Sequence, residues 1–74
     1  MKLADLEVGQ KCVVLSINLP EKSKILIENV GLTVGAKIKV VRRAPLLDPI
    51  QIKVRGVYAF VRVDTAKRIM VELL

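Results

Sequence analysis

The sequence predicts a mainly β fold, a small barrel of about five strands with one short helix. Three observations predict it. Apolar and polar residues alternate in short segments, most cleanly in Ile50-Gln51-Ile52-Lys53-Val54. Glycine or proline punctuates the chain between such segments, at Gly9, Pro20, Gly31, Gly35, Pro45, Pro49 and Gly56. Finally, 29 of the 74 residues are Val, Leu or Ile, a richness that excludes intrinsic disorder. The length suits one domain over residues 1–74, in the size range where folding is marginal. Closing a barrel would help such a chain by removing sheet edges.

The elements follow in order. Leu3, Leu6 and Val8 are the apolar positions of a lead-in that Gly9 closes. Lys11 to Leu19 predicts a strand, with Val13, Leu15, Ile17 and Leu19 on one face and Cys12, Val14, Ser16 and Asn18 on the other. Pro20 stops it. Glu21 to Val30 predicts the one helix, with Ser23 as a cap and Ile25, Leu26 and Val30 toward the core. Gly31 fits the left-handed position past a helix, and Leu32 the apolar contact that accompanies it. Gly35 marks a turn before a strand over Lys37 to Arg43. Pro45 and Pro49 hold Ala44 to Pro49 out of any ladder. The alternating segment from Ile50 turns at Gly56 and returns as Tyr58 to Val63. Asp64 to Lys67 is a turn that Asp64 caps, and Ile69, Val71 and Leu73 form the last strand.

Thirteen Lys and Arg against seven Asp and Glu give a net charge of +6, which favours an anionic partner. Register sharpens this. The strands on either side of the proline loop should pair antiparallel with Ile38 and Val40 on the face of Ile52 and Val54. Lys37, Lys39, Lys53 and Arg55 then share the outer face. Like charges across a ladder cost stability, so the face is either a solvated surface or a meeting place for something negative. Lys39→Glu with Lys53→Glu separates the two, because only the second loses affinity. The loop Arg42-Arg43-Ala44-Pro45-Leu46-Leu47-Asp48-Pro49 offers two readings as well. Leu46 plugs a barrel end, or Leu46 and Leu47 form an exposed contact patch beside two arginines. Tyr58 and Phe60 share a face with Arg62, either as core or as a small base-stacking surface.

Catalytic chemistry has little to draw on. The chain has no histidine, and Cys12 is its only cysteine. That excludes an intrachain disulfide and, within one chain, a standard zinc or iron–sulfur site. Cys12 has no base to activate it and suits a half-buried structural role. The carboxylates are scattered. No nucleophile–base set or phosphate-cradling glycine loop is present, so neither enzymatic activity nor a cofactor is expected. Met1 to Asp5 carries an early acid and does not resemble a signal peptide, and no apolar run approaches the ~20 residues of a membrane span. A cytoplasmic protein is expected.

Taken in order, several segments resemble the FeoA family of ferrous iron transport proteins. They are Leu3-x-x-Leu6-x-x-Gly9, Gly31-Leu32-Thr33-x-Gly35, Ala44-Pro45-Leu46-x-Asp48-Pro49, Ile52-x-Val54-x-Gly56 and Arg62-x-Asp64-x-Ala66-x-x-Ile69-x-Val71. The resemblance spans nearly the whole chain and implies an SH3-like β-barrel with a short helical insertion. It implies a cytoplasmic accessory of the FeoB-type permease, peripheral to the inner face of the cell membrane. It also implies kinship with the C-terminal module of iron-dependent repressors, and through it with transition-metal handling. This chain departs from the family pattern in three places. Ile25 and Leu26 stand where arginines are common, Val34 where proline is common, and Leu47 where glycine is common. The expected partner-binding residues are Lys37, Lys39, Arg42, Arg43, Pro45, Leu46, Leu47, Lys53 and Arg55. The alternatives are a nucleic-acid-binding barrel and a metal-sensing accessory domain whose ligands come from more than one chain. A small apolar-rich barrel is also a candidate for self-association.

Overall fold

The computed structural model describes all 74 residues. Five antiparallel strands form one sheet: β1 (Lys11–Ile17), β2 (Lys37–Arg43), β3 (Ile50–Val54), β4 (Val57–Val61) and β5 (Ile69–Leu73). Their spatial order is β4-β3-β2-β1-β5. A 3-10 turn over Leu3–Asp5 precedes β1, helix α1 (Glu21–Glu28) lies between β1 and β2, and the single turn α2 (Val63–Ala66) joins β4 to β5.

The strand count, the short helix and the proline loop are as the sequence predicts. Closure is not. β4 and β5 do not pair, so the sheet keeps two edges. The β5 edge is covered by the N-terminus. The Met1 amine donates to the Val71 carbonyl, the Val71 N–H donates to Met1, and Lys2 bridges to Met70.

Fifteen buried residues, all apolar, make one core on the inner face. It takes Cys12 and Val14 from β1, Ile38 and Val40 from β2, Ile50, Ile52 and Val54 from β3, Val61 from β4, and Ile69 and Val71 from β5. Leu3, Leu6, Leu32, Ala36 and Ala66 close its ends. No buried side-chain polar atom lacks a partner. Cys12 is therefore fully buried rather than half-buried, and burial pushes its thiol pKa up from the ordinary value of 9.0.

The strand register departs from simple alternation at two bulges. One falls between Val14 and Ser16, against β5. It leaves Leu15 exposed and returns Ile17 to the core side, so Val13, Leu15, Ile17 and Leu19 do not form one continuous face. The other falls between Val40 and Arg42, against β3.

The helix is the largest correction. It runs eight residues, begins directly after Pro20, and has no side-chain cap, so Ser23 does not cap it. Ile25, Leu26 and Val30 are all exposed, Leu26 by 69%, and Ile27 packs against the core instead. Three consecutive apolar residues fit more than one helical phase, so periodicity could not choose among them. The helix end follows the expectation. Gly31 has φ 96°, its N–H donates to the Glu28 carbonyl, and Leu32 N–H donates to Ile27 in the Schellman pattern.

Candidate functional site

The outer face of β1–β4 collects the basic residues in cross-strand rows. Lys11 lies opposite Lys39, Lys39 opposite Lys53, and Lys53 opposite Tyr58. This is one row across four strands, with Lys37 beside it on β2. The pairing of Ile38 with Val54 and of Val40 with Ile52 is the register that matching apolar faces predicted. Lys11 was missed. Its place needed the β1–β2 pairing, which the alternation within β1 alone does not provide.

The row borders an open depression of about 670 Å³ whose lining includes Lys11, Lys37, Lys39, Lys53 and Tyr58 and no acidic residue. The Lys53 ammonium sits 5.4 Å from the centre of the Tyr58 ring, within cation–π range. The only ion pair in the molecule, Arg62 with Asp48 at 3.7 Å, lies elsewhere and is exposed. None of these lysines has a carboxylate within ion-pairing distance. Two like-charge pairs stand directly opposite one another, an arrangement that lowers stability.

A second row runs alongside. The bulge at Val41 turns Arg42 outward, opposite Gln51, and Gln51 lies opposite Phe60. The Arg42 Nε donates to the Gln51 Oε1 at 3.0 Å. Arg42, Arg43, Ala44, Pro45, Pro49, Gln51 and Phe60 line a cleft of about 400 Å³ at the base of the proline loop. Leu46 is 89% exposed and Leu47 63%. Neither plugs the barrel, and together they form the exposed apolar pair of the second reading. Leu47 also has φ 67°, a left-handed conformation that costs a residue with a Cβ roughly 1–2 kcal/mol. Glycine at this position would relieve both the strain and the exposure.

The loop is fastened at its far end. Asp48 Oδ1 accepts the Val63 N–H at 3.1 Å and so caps α2 from a distance. Asp64 was the expected cap, but α2 has no side-chain cap of its own. Tyr58 and Phe60 are both exposed, which removes them from the core.

Two of the expected contact residues are engaged inside the molecule. The Arg43 Nη2 donates to the carbonyls of Ala4 and Leu6 at 2.7 Å each, clasping the N-terminal turn. Arg55 lies past β3 in a two-residue turn with Gly56, at φ 52° and 77°, the type I′ geometry. Its Nε donates to the Gly31 carbonyl and its Nη2 to the Thr33 hydroxyl, both at 3.3 Å. Lys37, Lys39, Arg42, Pro45, Leu46, Leu47 and Lys53 remain on the outer face or its loop. Nowhere do three His, Cys, Asp or Glu side chains gather as a metal site would require.

The comparisons with known proteins agree with this architecture. The model of the FeoA domain matches residues 1–73. The chain belongs to the FeoA family. It is similar to the FeoA protein of Chlorobium tepidum, whose solution structure it matches with TM-score 0.96 and 36% identity, over 100% of this chain and 70% of that one. A crystal structure of an iron uptake regulatory protein, also FeoA, matches with TM-score 0.90 and 32% identity, over 100% and 97%. A zinc complex of the Stenotrophomonas maltophilia FeoA matches with TM-score 0.79 and 25% identity, over 97% and 89%. That protein is described as a prokaryotic SH3 domain, suggested to act as an activating factor of ferrous iron transport. The open five-stranded sheet is thus an SH3-like FeoA fold. A manganese-dependent transcriptional repressor shares the fold at 17% identity, with this chain spanning 36% of its length. No curated protein sequence matches the chain. No helix is long and apolar enough to cross a membrane.

Proposed function

We propose that this FeoA protein is a non-enzymatic cytoplasmic accessory of ferrous iron transport that binds the cytoplasmic side of a FeoB-type permease. The proline loop and the adjoining lysine face form the contact. The observation that carries this reading is the pair Leu46 and Leu47. Both are held in solvent on a loop fastened by Asp48, and Leu47 keeps a strained conformation that glycine would relieve. An apolar anchor flanked by unneutralised lysines is a common plan for a protein interface, with the charges setting orientation and encounter rate.

The test is an amide-shift NMR titration with the GTP-binding domain of the permease from the same organism, followed by the intact permease in detergent. Saturable shifts on residues 37–55, lost with Leu46→Ser and Leu47→Ser together, support the reading. Absence of binding to the intact permease overturns it.

The exposure of Tyr58 and Phe60 beside the lysine row favours a second reading, a surface for single-stranded nucleic acid. That reading requires affinity to fall steeply with salt, with a log–log slope that follows the number of phosphates contacted.

A further inference from the structure

We propose that two copies of this chain pair through β4, antiparallel about Ala59, to make one continuous sheet across a two-fold axis. The inference starts from the difference between the two sheet edges. The N-terminus covers β5, whereas β4 pairs only with β3 and no other element runs along its outer side.

The backbone groups available there follow from the turn. A two-residue type I′ turn over Arg55 and Gly56 makes Val54 and Val57 the closing hydrogen-bonded pair. Alternation then bonds Ala59 and Val61 to β3 and points the N–H and C=O of Tyr58 and Phe60 outward. No backbone bond outside the ladder involves either residue. A free row of this kind is a template for another strand.

The sequence of β4 indicates which strand. Val57-Tyr58-Ala59-Phe60-Val61 is a near-palindrome. Antiparallel pairing of two copies about Ala59 sets Val57 opposite Val61, Tyr58 opposite Phe60 and Ala59 opposite its own equivalent. Each Tyr58–Phe60 pair exchanges both N–H···O bonds and places two aromatic rings side by side on the outer face. The small Ala59 side chain occupies the axis, where non-hydrogen-bonded backbones approach most closely.

Charge points the same way. On a chain of net charge +6, β4 is the only strand without a charged residue, so it is where two copies meet with least repulsion. Arg62, the nearest charge along the strand, falls opposite Gly56. None of the usual protections of an edge is present in β4. It has no lysine, no proline and no bulge. The contact is small, so the association is expected to be weak and concentration-dependent. It makes no use of the iron transport reading and stands or falls apart from it.

The test is sedimentation velocity and NMR relaxation on the full chain from about 20 µM to about 1 mM, where weak dimers of this size class form. The wild type should shift from monomer to dimer across the range. Tyr58→Glu with Phe60→Glu should remain monomeric throughout, because glutamates then face each other across both pairs. Within one copy, residue 58 still lies opposite Lys53 and residue 60 opposite Gln51, so the fold is expected to survive. An equal mixture with the Tyr58→Lys, Phe60→Lys variant should recover the dimer. If the glutamate variant fails to fold, a mixed labelled and unlabelled wild-type sample still decides. It should show a contact between the Ala59 α-protons of two copies. A wild type that stays monomeric at about 1 mM overturns the proposal, as does a dimer that lacks this contact or is unaffected by the glutamates.

Discussion

The two faces of β2 and β3 are built from alternate residues of the same strands, yet they answer to different demands. The inner face, with Ile38, Val40, Ile50, Ile52 and Val54, is almost wholly removed from water. The outer face sets Lys39 opposite Lys53 and keeps Tyr58 and Phe60 in solvent. The inner arrangement lowers the free energy of the folded chain. The outer one raises it slightly, through repulsion and exposed apolar surface. A face that costs stability in an already marginal domain is expected to earn its place in binding, and that difference can be pressed experimentally.

The sharpest contrast lies between neighbours on β3. Ile52→Ala should cost about 2–5 kcal/mol, from lost transfer energy and the cavity left behind. Lys53→Ala should stay within about 0.5 kcal/mol. Urea denaturation of the two variants checks the pair, and comparable losses would erase the distinction between the faces.

Arg43 tests the border between them. It entered the sequence reading as a contact residue, but its guanidinium holds the Ala4 and Leu6 carbonyls. Arg43→Ala should cost about 1–3 kcal/mol, the range for hydrogen bonds from a charged donor. A thermal melt reads it out, and an unchanged midpoint would return Arg43 to the contact surface.

Leu47→Gly should stabilise the protein by up to about 1 kcal/mol by relieving the left-handed φ, since glycine's extra chain entropy offsets part of the gain. The same change should weaken partner binding. A variant that loses stability would show that Leu47 serves the fold after all.

Lys39→Glu is the smallest expected effect. Flanked by Lys11 and Lys53, it turns two repulsive pairs into attractive ones, for a gain of roughly 0.5 kcal/mol in all, since the pairs are exposed, and the gain fades with salt. The mirror experiment on the inner face uses pH. Burial raises the Cys12 pKa, so above the unfolded value of about 9.0 the folded chain holds a proton that the unfolded chain releases. Stability is unaffected below that value and falls as pH rises from it toward the raised folded pKa. Cys12→Ala should reduce the alkaline slope in denaturation curves taken from pH 8 to pH 10.5, on the order of the interval where such thiols titrate.

The legible and illegible parts of the sequence divide along physical lines. Alternation in Ile50–Val54 and a short connection were enough to fix the β2–β3 register, because a one-residue slip would invert every side chain. The glycine past the helix was legible from its steric requirement alone. The bulges were not, since one inserted residue leaves composition and spacing almost unchanged. The phase of α1 was not legible either. The run Ile25-Leu26-Ile27 has no period of its own, and only packing selects Ile27. The roles of Arg43 and Arg55 lie in long-range contacts to carbonyls at positions 4, 6 and 31, which no local pattern announces. At the candidate site, the lysines of the β2–β3 hairpin were legible. Lys11 and the α2-capping role of Asp48 needed the tertiary pairing.

Cys12 also furnishes a clock. It is the sole thiol, it is wholly buried, and its strand lies between β2 and β5, with Ile38 on one side and Leu73 on the other. An alkylating reagent can reach its sulfur only when the core around it opens. Its labelling rate, divided by that of an unstructured peptide thiol at the same pH, therefore reads the fraction of time that this part of the core is open under native conditions. Any ligand, membrane or second copy that steadies the sheet will slow that clock, without a fluorophore or a denaturant being added.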